Sequence, residues 1–205
     1  MSENNGGYHN KVYAVLYPII WIFMKVLHPW KAVGAERIPE GSAVICGNHT
    51  TVGDPLYVVC GMGAKRHTHV MAKAEIMKWP VIGFLLKKAG IIGVNRGKSD
   101  MAAVKECLRT LRNGEKLLMF PEGTRVKEGK VSEAQTGAAM LATRTNSPLV
   151  PVYIQPKKRR FRKTTVVFGE PYYPEFEGRK PSADDYQRIA DELLVRTKAL
   201  GEQAG

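Results

Sequence analysis

Two short blocks carry the side chains that could do chemistry. Asn48-His49-Thr50-Thr51-Val52-Gly53-Asp54 follows the apolar run Ala43-Val44-Ile45-Cys46, so a histidine and a carboxylate leave the end of one expected strand together. Phe120-Pro121-Glu122-Gly123-Thr124-Arg125 closes a second apolar run, Leu117-Leu118-Met119-Phe120, and supplies a carboxylate, a glycine and an arginine. Imidazole titrates near neutrality, so a neutral ring can take a proton from an alcohol. A carboxylate five positions on can fix its tautomer and stabilise the imidazolium that forms. A guanidinium matches the oxygens of a phosphate and stays charged at any relevant pH. His49 is the candidate base, Asp54 its partner, and Arg96 and Arg125 the candidate phosphate ligands. Glu122 either binds a hydroxyl or holds its loop. A base with its orienting acid, facing a cationic clamp, equips a site to move an acyl group onto an alcohol that bears a phosphate.

No nucleophile motif accompanies the base: there is no G-x-S-x-G, and no cysteine has a placed histidine. Direct attack by the acceptor alcohol therefore fits better than a covalent acyl-enzyme. Either route needs donors for the tetrahedral oxyanion, from backbone amides near Gly123 or from the ammonium of Lys73. Gly97-Lys98-Ser99 ends like a phosphate-binding P-loop, but that motif requires glycine where Ile92 stands.

The elements that must position these groups alternate. Strands are expected near Val33, at Ala43–Cys46, His67–Met71, Gly90–Val94, Lys116–Phe120, Leu149–Ile154 and Thr164–Phe168. Helices are expected from Asp54-Pro55 to about Cys60, after a cap at Ser99, over Gly137–Arg144, and after the capping box Ser182/Asp185. Ile76–Lys88 reads as helical or irregular, broken near Pro80 and Gly83. This pattern predicts an α/β fold with a mixed, largely parallel sheet flanked by helices. His49, Lys73, Arg96 and Glu122–Arg125 each follow the C-terminal end of a different predicted strand, where open α/β sheets bind ligands.

With 205 residues, 44% hydrophobic and 24% charged, the chain suits one domain with a real core. Its net charge of +12 calls for an anionic partner. Cys46, Cys60 and Cys107 have no metal-like spacing and read as buried, reduced thiols; no metal and no cofactor is expected. Residues 1–10 are polar and no cleavage site follows, so no signal peptide is expected. Val12–Leu27, interrupted by Pro18, is short for a span. Val12, Val15, Leu16, Ile19, Ile20, Phe23, Met24 and Leu27 share one helical stripe, and Tyr13, Tyr17, Trp21 and Lys25 a neighbouring one. That suits a helix lying in the headgroup layer, the alternative being a helix packed on the protein's own core. Residues 1–30 are thus expected to form an amphipathic docking element and 31–205 the α/β domain. The basic run Lys157–Lys163 reads as a hairpin tip that meets anionic lipid or an acidic carrier, or is simply solvated. No nucleic-acid module accompanies it.

Four blocks in order resemble the PlsC-type glycerophospholipid acyltransferases, specifically 1-acyl-sn-glycerol-3-phosphate acyltransferases. They are Asn48-His49 through Asp54 (NHxxxxD); Lys73, Pro80, Gly83 and Gly90–Arg96; Phe120–Arg125 (FPEGTR); and Val150-Pro151-Val152 after Pro148. Three positions depart from the pattern: Val126 stands where many members have serine, and Gln135-Thr136 precedes Gly137 in place of phenylalanine-lysine. The resemblance implies acyl transfer from acyl-CoA or acyl-carrier protein to the sn-2 hydroxyl of lysophosphatidate. It assigns His49 as base, Asp54 as its partner, and Arg96 with Glu122, Gly123, Thr124 and Arg125 as the glycerol-phosphate site. It also implies an N-terminal element that docks on membrane. The expected setting is the cytoplasmic face of a membrane carrying anionic lipid, with the protein peripheral or monotopic. The alternatives are another lysophospholipid or lipid-linked alcohol as acceptor, or a non-catalytic basic membrane-binding protein.

Overall fold

The computed structural model describes residues 11–95, 100–121 and 136–203. Within them, helices α1 (Lys11–Leu27), α2 (Asp54–Met62), α3 (Pro80–Lys88), α4 (Met101–Arg112), α5 (Gly137–Thr145) and α6 (Ala183–Gln203) surround one sheet. Its strands are β1 (Trp30–Val33), β2 (Ala43–Gly47), β3 (Thr68–Lys73), β4 (Ile91–Val94), β5 (Lys116–Met119), β6 (Leu149–Ile154) and β7 (Thr164–Phe168), in the order β1-β7-β6-β2-β5-β3-β4. All neighbours are parallel except β6 and β7, which form an antiparallel hairpin across the basic run. The expected mixed, largely parallel α/β sheet is the fold observed.

The central strand explains why. All five residues of β2 are buried, as a strand covered on both faces must be. Alternate side chains feed two apolar layers. Ile45, Leu118, Val152, Ile154 and Phe168 pack with Tyr57 and Val58 of α2 and Met24 of α1 on one face. Val44, Cys46, Leu117 and Leu149 pack with Cys107 and Leu111 of α4, Leu141 of α5, and Ile189 and Leu193 of α6 on the other. The three cysteines are free and buried, as expected.

Several local expectations shift. α1 runs unbroken through Pro18. The proline is exposed, so water can satisfy the carbonyl it leaves without an N–H partner. The buried face of α1 cuts across both sequence stripes, taking Tyr17 from the aromatic one and Met24 from the aliphatic one. Val15, Ile19, Ile22, Phe23 and Val26 are left exposed. No described helix is long and apolar enough to cross a membrane. The first strand lies at Trp30–Val33, before the turn rather than within it. α3 passes through Gly83 without a break: a Cβ there would lie 2.1 Å from the carbonyl oxygen of Met77, so the glycine admits a close backbone approach. α4 is capped by Asp100, whose carboxylate accepts from the Ala103 amide at 3.0 Å; Ser99 lies outside the described residues. The Ser182/Asp185 box forms as expected, with Asp185 N–H on Ser182 Oγ at 3.1 Å and Ser182 N–H on Asp185 Oδ2 at 2.9 Å.

Candidate active site

Where β2 ends, Asn48 takes over its ladder. The side-chain amide donates to the Ile154 carbonyl at 2.9 Å and its oxygen accepts from the Ile154 amide at 2.7 Å, continuing the β2–β6 pairing while the main chain turns away. That turn throws His49 to the C-terminal edge of the sheet, beside the end of β5. There its ring stacks on Phe120, centroids 4.3 Å apart and planes 25° from parallel. The first residue of the FPEGTR block thus forms a wall of the histidine's slot.

Asp54 begins α2, with Gly53 as the cap residue and Pro55 next in line. Its carboxylate folds back over the turn. Oδ2 accepts from the amides of Thr50 at 2.6 Å and Thr51 at 2.7 Å and lies 3.1 Å from His49 Nδ1. Oδ1 accepts from Thr51 Oγ1 at 2.8 Å. The side chain has no solvent exposure. Burial favours its neutral form, but hydrogen bonds from His49, Lys158 and Thr51 outweigh burial and hold the carboxyl below the usual carboxylate range. An ionised carboxylate only accepts, so His49 Nδ1 carries the proton and Nε2 is the basic nitrogen.

A fifth donor was not legible as part of this site. Lys158 Nζ sits 2.7 Å from Asp54 Oδ1 and donates to Thr50 Oγ1 at 2.8 Å, with only 8% of its side chain exposed. It also lies over the Tyr57 ring at 6.0 Å. The hairpin expectation for Lys157–Lys163 holds, but this lysine is neither solvated nor turned to lipid. The signal that could have found it is the strand pairing: β6 runs beside β2, so the first basic residues after β6 emerge at the edge that holds His49. A buried carboxylate requires a cation or several donors, and this one has both.

The other sequence candidates fare unequally. Lys73 ends β3 at the same edge of the sheet, but its ammonium pairs with Glu75 at 3.2 Å and is half exposed. Arg96, Glu122, Gly123, Thr124 and Arg125 lie outside the described residues, as does Val126. The structure therefore brings together His49, Asp54, Phe120 and Lys158. A base oriented by an ionised acid, with a counter-cation behind it, can deprotonate an alcohol at the C-terminal edge of the sheet.

The sequence pattern of a protein family described as Acyltransferase matches residues 30–155, which include every element from β1 to β6. The chain belongs to the acyltransferase family. A 1-acyl-sn-glycerol-3-phosphate acyltransferase of Borreliella burgdorferi is 29% identical over 136 residues, 65% of this chain and 54% of that protein. The chain thus spans about half the length of that relative. A lyso-ornithine lipid O-acyltransferase of Pseudomonas aeruginosa is 39% identical over 98 residues, 47% of this chain and 36% of that protein. Among solved structures, the 1-acyl-sn-glycerophosphate acyltransferase PlsC of Thermotoga maritima superposes with a TM-score of 0.70 at 25% identity, over 95% of this chain and 82% of that one.

Proposed function

We propose that this acyltransferase moves an acyl group from acyl-CoA or acyl-carrier protein to the sn-2 hydroxyl of lysophosphatidate, forming phosphatidate. The observation that carries the reading is the His49–Asp54 pair at 3.1 Å at the mouth of the central strand. His49 Nε2 takes the proton of the sn-2 hydroxyl as its oxygen attacks the thioester carbon. The tetrahedral intermediate then collapses, and the proton passes from the imidazolium to the departing thiolate. Asp54 holds the ring and stabilises its charged form. Arg96 and Glu122–Arg125 bind the glycerol phosphate by the motif resemblance. Relatives and a solved structure named for this reaction support the assignment.

The site must also reach a lipid held in a membrane. The exposed Val15, Ile19, Ile22, Phe23 and Val26 of α1, with Trp79, Val81 and Phe84 at α3, supply apolar surface for the interface. The hairpin presents Phe161 among basic residues, and its amide bonds the Leu27 carbonyl at the end of α1 at 2.9 Å. This face docks the protein on the cytoplasmic leaflet, with anionic headgroups against the hairpin.

Purified protein assayed with lysophosphatidate and each donor tests the reading. Product is expected with wild type and is expected to fall by at least about a hundredfold in His49→Ala. Activity that survives the substitution would remove His49 as base. The likeness to a lyso-ornithine lipid acyltransferase favours a second acceptor class, so that lysolipid belongs in the same assay. Turnover of it alone would replace lysophosphatidate as the substrate.

A further inference from the structure

At the other edge of the sheet, where β3 and β5 begin, two imidazoles and a carboxylate converge. His67 and His69 are two positions apart and so share one side of the chain as it enters β3. Glu115 stands two positions before Leu117, the partner of His69 in the parallel register, and reaches the same side. His69 Nε2 is 3.4 Å from Glu115 Oε2. One ligand atom from each of His67, His69 and Glu115 lies within 4.8 Å of the other two.

These distances suit an ion. A tetrahedral centre with bonds of about 2.0–2.1 Å sets its ligand atoms about 3.4 Å apart, the spacing already present between His69 and Glu115. His67 Nε2 lies 3.3 Å from the carbonyl oxygen of Ala89, and as donor it leaves Nδ1 as the ring's unprotonated nitrogen, the tautomer lock that metal-binding histidines commonly carry. Gly90, at φ +89°, leaves room for both rings: a Cβ there would lie 3.0 Å from His69 Nδ1 and 3.1 Å from His67 Cε1. A groove of about 990 Å³, lined by His69, Gly90, Asn113 and Glu115 among others, gives the cluster an entry path.

We propose that His67, His69 and Glu115 form a site for one divalent transition-metal ion, zinc being the best match. Two imidazole nitrogens and one carboxylate oxygen suit zinc, whereas calcium and magnesium require oxygen throughout. The site departs from the sequence expectation of no metal. It lies at the opposite end of β5 from Phe120, roughly 16 Å at about 3.3 Å per residue, so the ion clamps the fold and takes no part in acyl transfer. It joins the starts of β3 and β5, and through Ala89 and Gly90 the turn after α3. His67 also meets Tyr13 of α1 edge-on at 4.4 Å, so the clamp reaches the helix assigned above to the membrane.

The full chain, stripped with a chelator and titrated with zinc, is expected to take up one ion and to melt at a higher temperature with it. Cobalt(II) in its place is expected to give the intense visible bands of a four-coordinate site. Glu115→Gln, which keeps the side chain's shape, and His69→Gln are each expected to weaken zinc binding at least about tenfold, while His49→Ala leaves it intact. No stoichiometric binding, binding unchanged in both Gln variants, or binding lost in His49→Ala would each overturn the site.

Discussion

Replacing Lys158 by methionine removes the charge and its bond to Thr50 Oγ1 but keeps the packing, because the unbranched stem can stay against Tyr57. Nζ and Asp54 Oδ1 are 2.7 Å apart with side-chain exposures of 8% and 0%. At an effective dielectric of 20, unit charges about 3 Å apart attract by about 5.5 kcal/mol. Taking the ammonium out of water consumes part of that, and breaking one side of a buried pair typically costs about 3–5 kcal/mol. Asp54 keeps its bonds from Thr50, Thr51 and His49, so the lower end applies: about 3 kcal/mol, or about 6–12 °C in melting temperature for a chain of this size. Asp54→Asn should cost a similar amount, since it leaves Lys158 buried without its anion.

A double-mutant cycle by urea unfolding isolates the pair. Lys158→Met/Asp54→Asn no longer buries an unmatched charge, and its cost is expected to fall short of the sum of the singles by about 2 kcal/mol or more. Additivity within about 0.5 kcal/mol would refute the argument, because it would mean that Lys158 and Asp54 do not depend on one another. The acyl-transfer rate gives a second readout. Lys158→Met, which preserves the Asp54–His49 bond, is expected to lose less activity than Asp54→Asn, which disturbs the ring's tautomer.

Three further outcomes follow from the geometry. Asp54 has a folded-state pKa below its unfolded value, so its contribution to stability is complete above about pH 4 and is lost as pH falls through the lower folded value; below pH 4 wild type is expected to lose stability more steeply than Asp54→Asn, by about 1 kcal/mol per pH unit. Equal slopes in pH-dependent urea titrations would count against an ionised Asp54. Burial pushes the Cys60 and Cys107 thiols up to about 12 and Cys46 higher still, so a thiol reagent at pH 8 is expected to modify none of the three in native protein and all three after denaturation. Asn48→Ala strips two hydrogen bonds from the buried Ile154 backbone and is expected to destabilise by about 2–4 kcal/mol in chemical denaturation, which would show that the motif's asparagine serves the fold rather than the chemistry.

What could be read from the chain divides along a physical line. Apolar runs and caps are local, so the seven strands and the capping box at Ser182 were legible to within a few residues. The His49–Asp54 pair was legible for the same reason: a glycine and a helix-opening Asp-Pro lie within one turn of the histidine, and no distant element is needed to bring the two together. Gly83 misled because a glycine that permits close approach to Met77 looks, in sequence, like one that ends a helix. Sharing between long-range partners was not legible at all. Lys158 stands 108 positions from Thr50 and reads as one of seven residues in a basic, flexible-looking run. Only the β2–β6 register makes it the cation beneath Asp54. Yet the need for such a group follows from the motif itself. The turn that lets Asp54 reach His49 also buries the carboxylate completely, and a buried charge must find compensating donors from outside the motif that supplies it. Sequence can therefore state the demand, while the pairing of strands decides which residue meets it.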